Sequence, residues 1–303
     1  MRPAWSVLLL TTLIGAGQGL FLALFGAEVF GMGGSTLFVP GAAAALALLG
    51  AGLVASFFHL GRPERAWRSA AKWRTSWLSR EVIVLPAFMA VVLAWGVAHK
   101  LGEPTLALGT AGVVLALALF VCTGMIYACL PFLQEWRTPL TIVNFALLGS
   151  ASGLTAAAAL AAWLHAPLAR PFVAAALAVG ALAYLGRLAA LARNTRLRPK
   201  STLATAIGVK HPRIVQIAQG AMGGSFNTRE FFHRRPREAV RAVRWALLVL
   251  VFPVPALVLL SGKYSAPVLG AAFILQYAGL LAERWYFFAE AKHPQNLYYQ
   301  AIA

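Results

Sequence analysis

The stretch TLALGTAGVVLALALFVCTGMIYACL, from Thr105 to Leu130, contains no charged residue. A helix rises about 1.5 Å per residue, so about 20 apolar residues can cross the roughly 30 Å hydrocarbon core of a bilayer. Seven further segments are predominantly apolar and of similar length: Trp5–Ala27, Leu37–Leu60, Glu81–Ala98, Leu140–Leu164, Pro171–Leu191, Trp245–Ser261 and Pro267–Phe288. We therefore predict an all-α fold, a polytopic integral membrane bundle of eight transmembrane helices in one domain over residues 1–303.

The composition excludes the main classes of water-soluble protein. Of the 303 residues, 60% are hydrophobic and 12% are charged, whereas a soluble domain has about a quarter of its residues charged. The net charge of +17 would suggest nucleic acid as a partner of a soluble protein. In a membrane protein, basic cytoplasmic loops are the ordinary source of such a charge, so we expect a lipid bilayer and no nucleic acid.

The positive charges lie almost entirely on one side of the predicted bundle. All but three of the 26 Lys and Arg residues fall in loops of one side or at the helix ends next to them, the exceptions being Lys100, Arg170 and Lys263. The positive-inside rule then places both termini in the cytoplasm (N-in/C-in). It predicts two basic cytoplasmic loops, at 61–80 and 192–244, in a multi-pass protein of the bacterial inner membrane. The longer loop is either a polybasic segment on anionic lipid or a docking platform for a soluble partner.

The histidines and cysteines do not form a pattern typical of a haem or metal site. A b-type haem normally takes two imidazoles inside the bundle, and only His59 lies within a helix end on the cytoplasmic side. The other five end helices on the outer side or lie outside the helices: His99, His165, His211, His233 and His293. Cys122 and Cys129 are too few for an iron–sulfur cluster, which takes about four ligands. We therefore expect no haem and no metal site in this chain.

Polar side chains gather where the predicted helices meet the cytoplasmic side. A quinone site needs polar groups that hydrogen-bond the two carbonyls and relay protons within an apolar slot. A histidine near its ordinary pKa of about 6.5 suits that relay. The residues at this level predict a quinone site made by His59, Arg80, Glu81, Tyr127 and Asn144. On these grounds alone, His59 could equally cap a helix or lie among lipid headgroups.

Other polar residues are predicted to have structural roles. Gln18, in the middle of the first helix, is expected to make an interhelical hydrogen bond. Glu28, Glu81, Glu283 and Arg187 are expected at helix ends, so the sequence offers no ladder of acids through the membrane.

Five sequence strings resemble the membrane anchor subunit of dimethyl sulfoxide reductase-type complexes, and in particular the branch that anchors quinone-dependent sulfite dehydrogenases. The resemblance runs through all eight predicted helices. The strings are FHLGRPERAW (Phe58–Trp67), SWLSRE (Ser76–Glu81), RTPLTIVNFALLGSASG (Arg137–Gly153), GSFNTREFF (Gly224–Phe232) and ERWYFFAEAKHPQNLYYQ (Glu283–Gln300).

This resemblance implies a non-catalytic membrane anchor that has no activity without its partners. The partners would be a molybdopterin catalytic subunit and an iron–sulfur electron-transfer subunit, which hold the molybdopterin and the clusters. The anchor itself would carry no haem and would exchange electrons with ubiquinone or menaquinone. His59 matches the family's histidine implicated in quinol binding, whereas Arg80 and Glu81 could instead hold the fold of loop 61–80. We expect the partners to dock on Arg62, Arg65, Arg68, Trp77, Lys210, Arg213 and Arg229.

The basic charge of loop 61–80 predicts that these partners are cytoplasmic. The favoured hypothesis is that electrons from sulfite oxidised in the cytoplasm pass to the quinone pool. One alternative is a quinol-oxidising anchor of a dimethyl sulfoxide, S-oxide or N-oxide reductase in anaerobic respiration. Another is a solute transporter or a purely structural tether. A transporter is disfavoured because neither broken helices nor inverted repeats are evident in the sequence.

Overall fold

The computed structural model describes residues 1–215, 217–218 and 231–298, and throughout this part of the chain the regular secondary structure is helical. Two segments are 3₁₀ helices, Pro63–Lys72 and Ala166–Leu168. The α-helices are α1 (Trp5–Val29), α2 (Ser35–Phe57), α3 (Trp77–Leu101), α4 (Leu106–Ala128), α5 (Pro139–Leu164), α6 (Ala169–Thr195), α7 (Leu203–Ile207), α8 (Arg237–Leu250), α9 (Pro253–Leu260), α10 (Ala266–Glu290) and α11 (Gln295–Tyr298).

Eight helical stretches among these residues are long and apolar enough to cross a membrane. Five are the single helices α1 to α5, the sixth joins the 3₁₀ turn at Ala166 to α6, the seventh runs through α8 and α9, and the eighth is α10. The prediction of an all-α, eight-span membrane protein is confirmed, and the chain is a multi-pass membrane protein.

Several helices extend further than the hydropathy of the sequence predicted. Helix α3 begins at Trp77 because the hydroxyl of Ser76 accepts a hydrogen bond from the Ser79 amide and caps the helix. Helix α8 begins at Arg237, eight residues before the predicted Trp245, because its first turns are basic yet still helical. The connections therefore cover 58–76 and 196–236, within which the 3₁₀ segment and α7 are ordered elements.

The extensions change where the charged residues lie. Helix α6 continues to Thr195 and α10 to Glu290. Arg187 and Glu283 consequently lie about 10 Å inside their helices at 1.5 Å per residue, and Glu81 lies in the second turn of α3. The expectation of a position at a helix end is wrong for Arg187 and Glu283 and is confirmed for Glu28, the last residue but one of α1.

The seventh span is broken, which the hydropathy of the sequence did not predict. Helix α8 ends at Leu250 and α9 begins at Pro253, whose nitrogen has no hydrogen to continue the helical ladder. Across the break, the Gln276 side chain of α10 donates to the Val251 carbonyl at 3.5 Å. A side chain from the neighbouring span thus partners a carbonyl at the break, as backbone within a membrane requires.

Helices α1 and α5 form the centre of the bundle and pack directly against each other. Each has two glycines four residues apart, and the backbones touch there: a Cβ on Gly19 would overlap the Gly149 carbonyl, and one on Gly153 would overlap Gly19. Small residues allow this close approach in membranes. Gln18, which is 1% exposed, donates to the Ala116 carbonyl of α4 at 2.8 Å. The predicted interhelical hydrogen bond of Gln18 is confirmed.

We call one end of the bundle the basic end. It contains the starts of α1, α3, α5 and α8, the ends of α2, α4, α6 and α10, and the connections that carry most of the Lys and Arg residues. The other end is the opposite end. The buried polar side chains discussed next lie towards the basic end.

Candidate functional site

A cluster of aromatic rings fills the bundle towards the basic end. Tyr127, at the end of α4, stacks on Phe145 of α5 with ring centroids 5.6 Å apart, and it meets Phe287 and Phe288 of α10 edge-on at 5.4 Å. Trp136 stacks on Phe287, and its indole Nε1 donates to the Phe287 carbonyl at 2.9 Å. These five residues, here called the aromatic cluster, pack α4, the α4–α5 connection, α5 and α10 against one another.

Glu81 reaches this region from α3. Its carboxylate is 7% exposed and accepts a hydrogen bond from the Thr123 hydroxyl of α4. Thr123 lies one helical turn before Tyr127, and Glu81 is near enough for its charge to act on the phenol. A carboxylate is therefore buried on one flank of the aromatic cluster, with a single hydroxyl as its hydrogen-bond donor within the described residues.

Two arginines and two glutamates form a buried charge network on the other flank. Arg187 Nε of α6 lies 3.1 Å from Glu283 Oε1 of α10, and its Nη2 lies 3.8 Å from Glu290 Oε2. Arg284 donates from Nε to Glu283 Oε2, and its guanidinium lies 3.8 Å above the Phe145 ring. Glu283 is 0% exposed, and its pairing with two arginines offsets the cost of burying its charge.

A narrow cleft connects this network to the surface between α5, α6 and α10. Its empty space is about 280 Å³, including the open mouth, and it has room for about one water molecule. Asn144 Oδ1 and Arg284 Nη1 line it without a hydrogen-bond partner among the described residues. Its walls are Glu135, Thr138, Thr141, Asn144, Phe145, Arg187, Ala190, Asn194, Arg284 and Phe287.

The structure brings together three of the five predicted quinone-site residues. Glu81 and Tyr127 lie at the aromatic cluster, and Asn144, next to Phe145, lines the cleft and donates to the Gly186 carbonyl at 3.3 Å. Their assignment to a quinone remains a prediction.

The other two predicted residues lie outside the aromatic cluster. His59 follows the end of α2 and is exposed, its ring makes no hydrogen bond within the described residues, and desolvation lowers its pKa below the usual 6.5. Arg80 holds the start of α3, donating to the carbonyls of Trp73 at 2.9 Å and Arg74 at 2.8 Å. Its guanidinium also lies 4.1 Å from the centre of the Trp77 ring. This agrees with the alternative in which Arg80 holds the fold of the loop.

Sequence reasoning did not assign the four charged residues of the network to the site. Arg187, Glu283 and Arg284 lie four or five residues before the ends of the predicted apolar segments, and Glu290 lies beyond one. Hydropathy therefore did not indicate that the four are buried together. The available signal was helical continuity: ERWYFFAE (Glu283–Glu290) keeps aromatic residues between its charges and so continues the buried face of α10.

Most of the predicted docking residues are exposed at the basic end. Arg62, Arg65 and Arg68 lie on or next to the 3₁₀ segment, with Trp67 and Trp73 exposed beside them. Trp77 is half-buried against Arg80, and Lys210 and Arg213 are exposed after α7. Arg229 lies outside the described residues.

The described residues hold no group of three or more His, Cys, Asp or Glu side chains able to bind a metal ion. All six histidines lie in this part of the chain, either outside the helices or, for His99, in the last turn of α3. Cys122 is buried and Cys129 is exposed, both as free thiols.

Comparison with known proteins agrees with this architecture. The profile of the DMSO reductase anchor subunit (DmsC) family matches residues 1–299. The chain is 53% identical to the C subunit of the sulfite dehydrogenase of Allochromatium vinosum, over 327 aligned positions that cover both chains completely. It is 32% identical to the anaerobic dimethyl sulfoxide reductase chain YnfH of Escherichia coli over 116 positions, 37% of this chain and 41% of that one. The chain therefore belongs to the DMSO reductase anchor subunit (DmsC) family, as the membrane anchor of an oxidoreductase complex.

Proposed function

We propose that this anchor binds quinone, carries no haem, and passes electrons from sulfite oxidised in the cytoplasm to the quinone pool of the bacterial inner membrane. The observation that carries the proposal is the 53% identity, over the whole of both chains, to a sulfite dehydrogenase subunit. The partners in this proposal are a molybdopterin catalytic subunit and an iron–sulfur subunit, which hold the redox cofactors. The chain alone then has no activity.

The quinone site proposed here consists of His59, Glu81, Tyr127 and Asn144, and Arg80 instead holds the fold of loop 61–80. Glu81 and Tyr127 supply polar groups on an otherwise aromatic surface, the environment that a quinone ring requires. His59 stands beside the exposed Phe57 and Phe58 at the rim of the bundle, so a quinone arriving through lipid reaches it without opening the helices. In this arrangement His59, with Glu81 or Tyr127, delivers protons to the reduced quinone.

The partner surface in this proposal is the exposed basic face made by Arg62, Arg65 and Arg68, extended by Lys210 and Arg213. Exposed Trp67 adds an aromatic anchor of the kind that dominates protein interfaces. The positive-inside rule orients this face towards the cytoplasm. Electrons and protons then enter from the same side, so the transfer is electroneutral.

Sulfite-dependent quinone reduction by the whole complex tests the proposal. We expect activity in inside-out vesicles and none in sealed right-side-out vesicles, because sulfite reaches a cytoplasmic active site only in the former. Reporter fusions that locate Arg68 or Arg213 on the outer face would contradict the orientation. A sulfite-driven membrane potential, with downstream oxidases blocked, would contradict the electroneutral step.

One comparison favours a second candidate function. The similarity to an anaerobic dimethyl sulfoxide reductase chain is compatible with an anchor that oxidises quinol for an S-oxide or N-oxide reductase. The direction of electron flow between the quinone pool and the partner subunits distinguishes the two candidate functions. Quinol-dependent reduction of an S-oxide, without any sulfite activity, would assign the chain to this second function.

A further inference from the structure

Three carboxylates lie in order from the surface of the basic end to the aromatic cluster. Glu135, in the α4–α5 connection, is half-buried on the wall of the cleft. Glu290 is 16% exposed at the end of α10, and its Oε2 lies 3.8 Å from Arg187 Nη2. Arg187 lines the cleft together with Glu135. Glu283, two turns further into α10, shares Arg187 with Glu290. Arg187 therefore joins the partly exposed carboxylate to the buried one.

The size of the cleft decides what can occupy it. It has room for about one water molecule, far less than a quinone ring needs. Two polar side chains, each 4% exposed, line it with an unpartnered atom: Arg284 through a donor and Asn144 through an acceptor. A water bridging them would satisfy both atoms, so the chemistry of the cleft suits water and protons rather than an organic ligand.

The cations around the carboxylates fix which groups can carry a proton. Arg187 and Arg284 face Glu283, and Arg187 and Arg244 act on Glu290. Arginine does not give up its proton in proteins, so the guanidiniums hold the carboxylates in place without exchanging protons. Among the described residues of the network, the carboxylates and Tyr286, one turn before Glu290, remain as carriers together with water.

We propose that the cleft and the carboxylates of Glu135, Glu290 and Glu283 form a proton-entry route from the α4–α5 connection to the aromatic cluster. The inference rests on the proposed function, because its purpose is to supply protons for quinone reduction. Reduction of one quinone to quinol takes two electrons, which come from the iron–sulfur partner, and two protons from the aqueous phase at the basic end. The route ends beside Arg284, which lies on the rings of Phe145 and Phe287.

The test compares two activities of the assembled complex in inside-out vesicles. Sulfite-dependent reduction of ubiquinone requires the anchor, whereas sulfite-dependent reduction of ferricyanide requires only the redox subunits. Glu290→Gln should lower the ubiquinone rate at least tenfold, leave the ferricyanide rate unchanged and increase the kinetic effect of replacing water by D₂O. Glu290→Asp should recover much of the rate. Glu103→Gln, which removes an exposed acid at the opposite end, should leave both activities as they are.

Further variants keep the test decisive if one fails to fold. Glu283→Gln should resemble Glu290→Gln, but it leaves two buried arginines poorly paired and can prevent assembly. If Glu283→Gln does not assemble, the ubiquinone and ferricyanide rates of Glu135→Gln and Glu290→Gln test the route, since both residues lie near the surface. Two results would overturn the proton-entry route but not the proposed function. One is a native rate of ubiquinone reduction in both assembled variants, and the other is an equal loss of ubiquinone reduction and ferricyanide reduction. Failure of the native complex to reduce quinone with sulfite would overturn the proposed function, and the proton-entry route with it.

Discussion

Each end of the bundle holds a largely buried carboxylate, Glu28 in the last turn of α1 and Glu283 two turns inside α10, but the two have different partners. At the opposite end, Glu28 of α1 accepts hydrogen bonds from Trp95 Nε1 at 2.8 Å and from the Thr105 hydroxyl, and His99 Nε2 lies 3.3 Å away. At the basic end, Glu283 is paired with Arg187 and Arg284. One carboxylate is held mainly by neutral donors and the other by charges.

This difference in partners indicates that Glu28 makes a structural contact, whereas Glu283 belongs to a site that is able to react. The donors to Glu28 come from α3 and the start of α4, so Glu28 ties three helices together and both of its oxygens are occupied. Glu283 lies next to unpartnered polar atoms and a cleft that reaches the surface. Buried polar atoms without partners are costly and are retained mainly where function needs them.

The largest expected effect comes from removing Glu283. Glu283→Ala leaves Arg187 and Arg284 buried without their shared partner, and breaking a buried ion pair in this way costs about 3–5 kcal/mol. The free energy of unfolding of the purified chain in mixed detergent micelles should fall by that amount, whereas Glu103→Ala should change it little. A loss below about 1 kcal/mol would mean that the network is hydrated and not buried.

Removing Glu28 should have a smaller effect and should act on stability alone. Glu28→Ala leaves the Trp95 indole and the Thr105 hydroxyl without their acceptor, which costs about 1–3 kcal/mol. Glu28→Gln keeps one acceptor oxygen and should cost less. In the assembled complex, both variants should retain the native rate of quinone reduction. A loss of the quinone-reduction rate in variants that assemble normally would show that Glu28 is not a purely structural residue.

The pH dependence tests the role proposed for His59 at the basic end. Its pKa is lowered by desolvation, so the ring is mostly neutral at pH 7 and becomes protonated as the pH falls. If protonated His59 donates to the quinone, lowering the pH from 7 to 6 should raise the rate severalfold, at most about tenfold.

In His59→Gln, the quinone-reduction rate should lose this rise. The lowered pKa also means that acid favours the unfolded chain, so the rates are measured at a temperature at which native assembly is intact. A rise that persists in His59→Gln would assign the proton donor to another group.

The smallest expected effect concerns Arg80, which contacts the 3₁₀ connection and not the aromatic cluster. Arg80→Lys removes the planar stack on Trp77 and one of the two backbone contacts, which should cost about 0.5–1 kcal/mol. Limited proteolysis of the 58–76 connection should become faster. The Michaelis constant for quinone should stay unchanged, and an increase would return Arg80 to the quinone site.

The fold was largely predictable because each span is decided locally. An apolar run of twenty residues has few alternatives to a membrane helix, since every backbone group must be satisfied within the segment. The first residues of α3 and α8 were predicted too late in the sequence, because helix capping and amphipathic first turns extend a helix beyond its apolar part. The break at Pro253 was missed because a proline alone does not decide it: Pro40 and Pro86 lie inside the unbroken helices α2 and α3.

The candidate site was predictable only in part. Glu81, Tyr127 and Asn144 could be grouped because topology alone places them at one level of the bundle. The pairing of Arg187 with Glu283 joins α6 to α10 across 96 positions of sequence, and neither segment indicates it alone. Glu135 lines the same cleft as Arg187, because the α4–α5 connection folds over that cleft.

The sequence by itself determined that this chain is an eight-span membrane protein, and its motifs indicated an anchor of the DMSO reductase type. Both depend on local properties: the length of apolar runs, the placement of Lys and Arg, and short strings of residues. Only the tertiary structure decided which charges are partners, which polar atoms line a cleft, and that Glu28 and Glu283 differ in kind. The physical reason is that the stability of a buried charge depends on the groups around it, and those groups come from several helices.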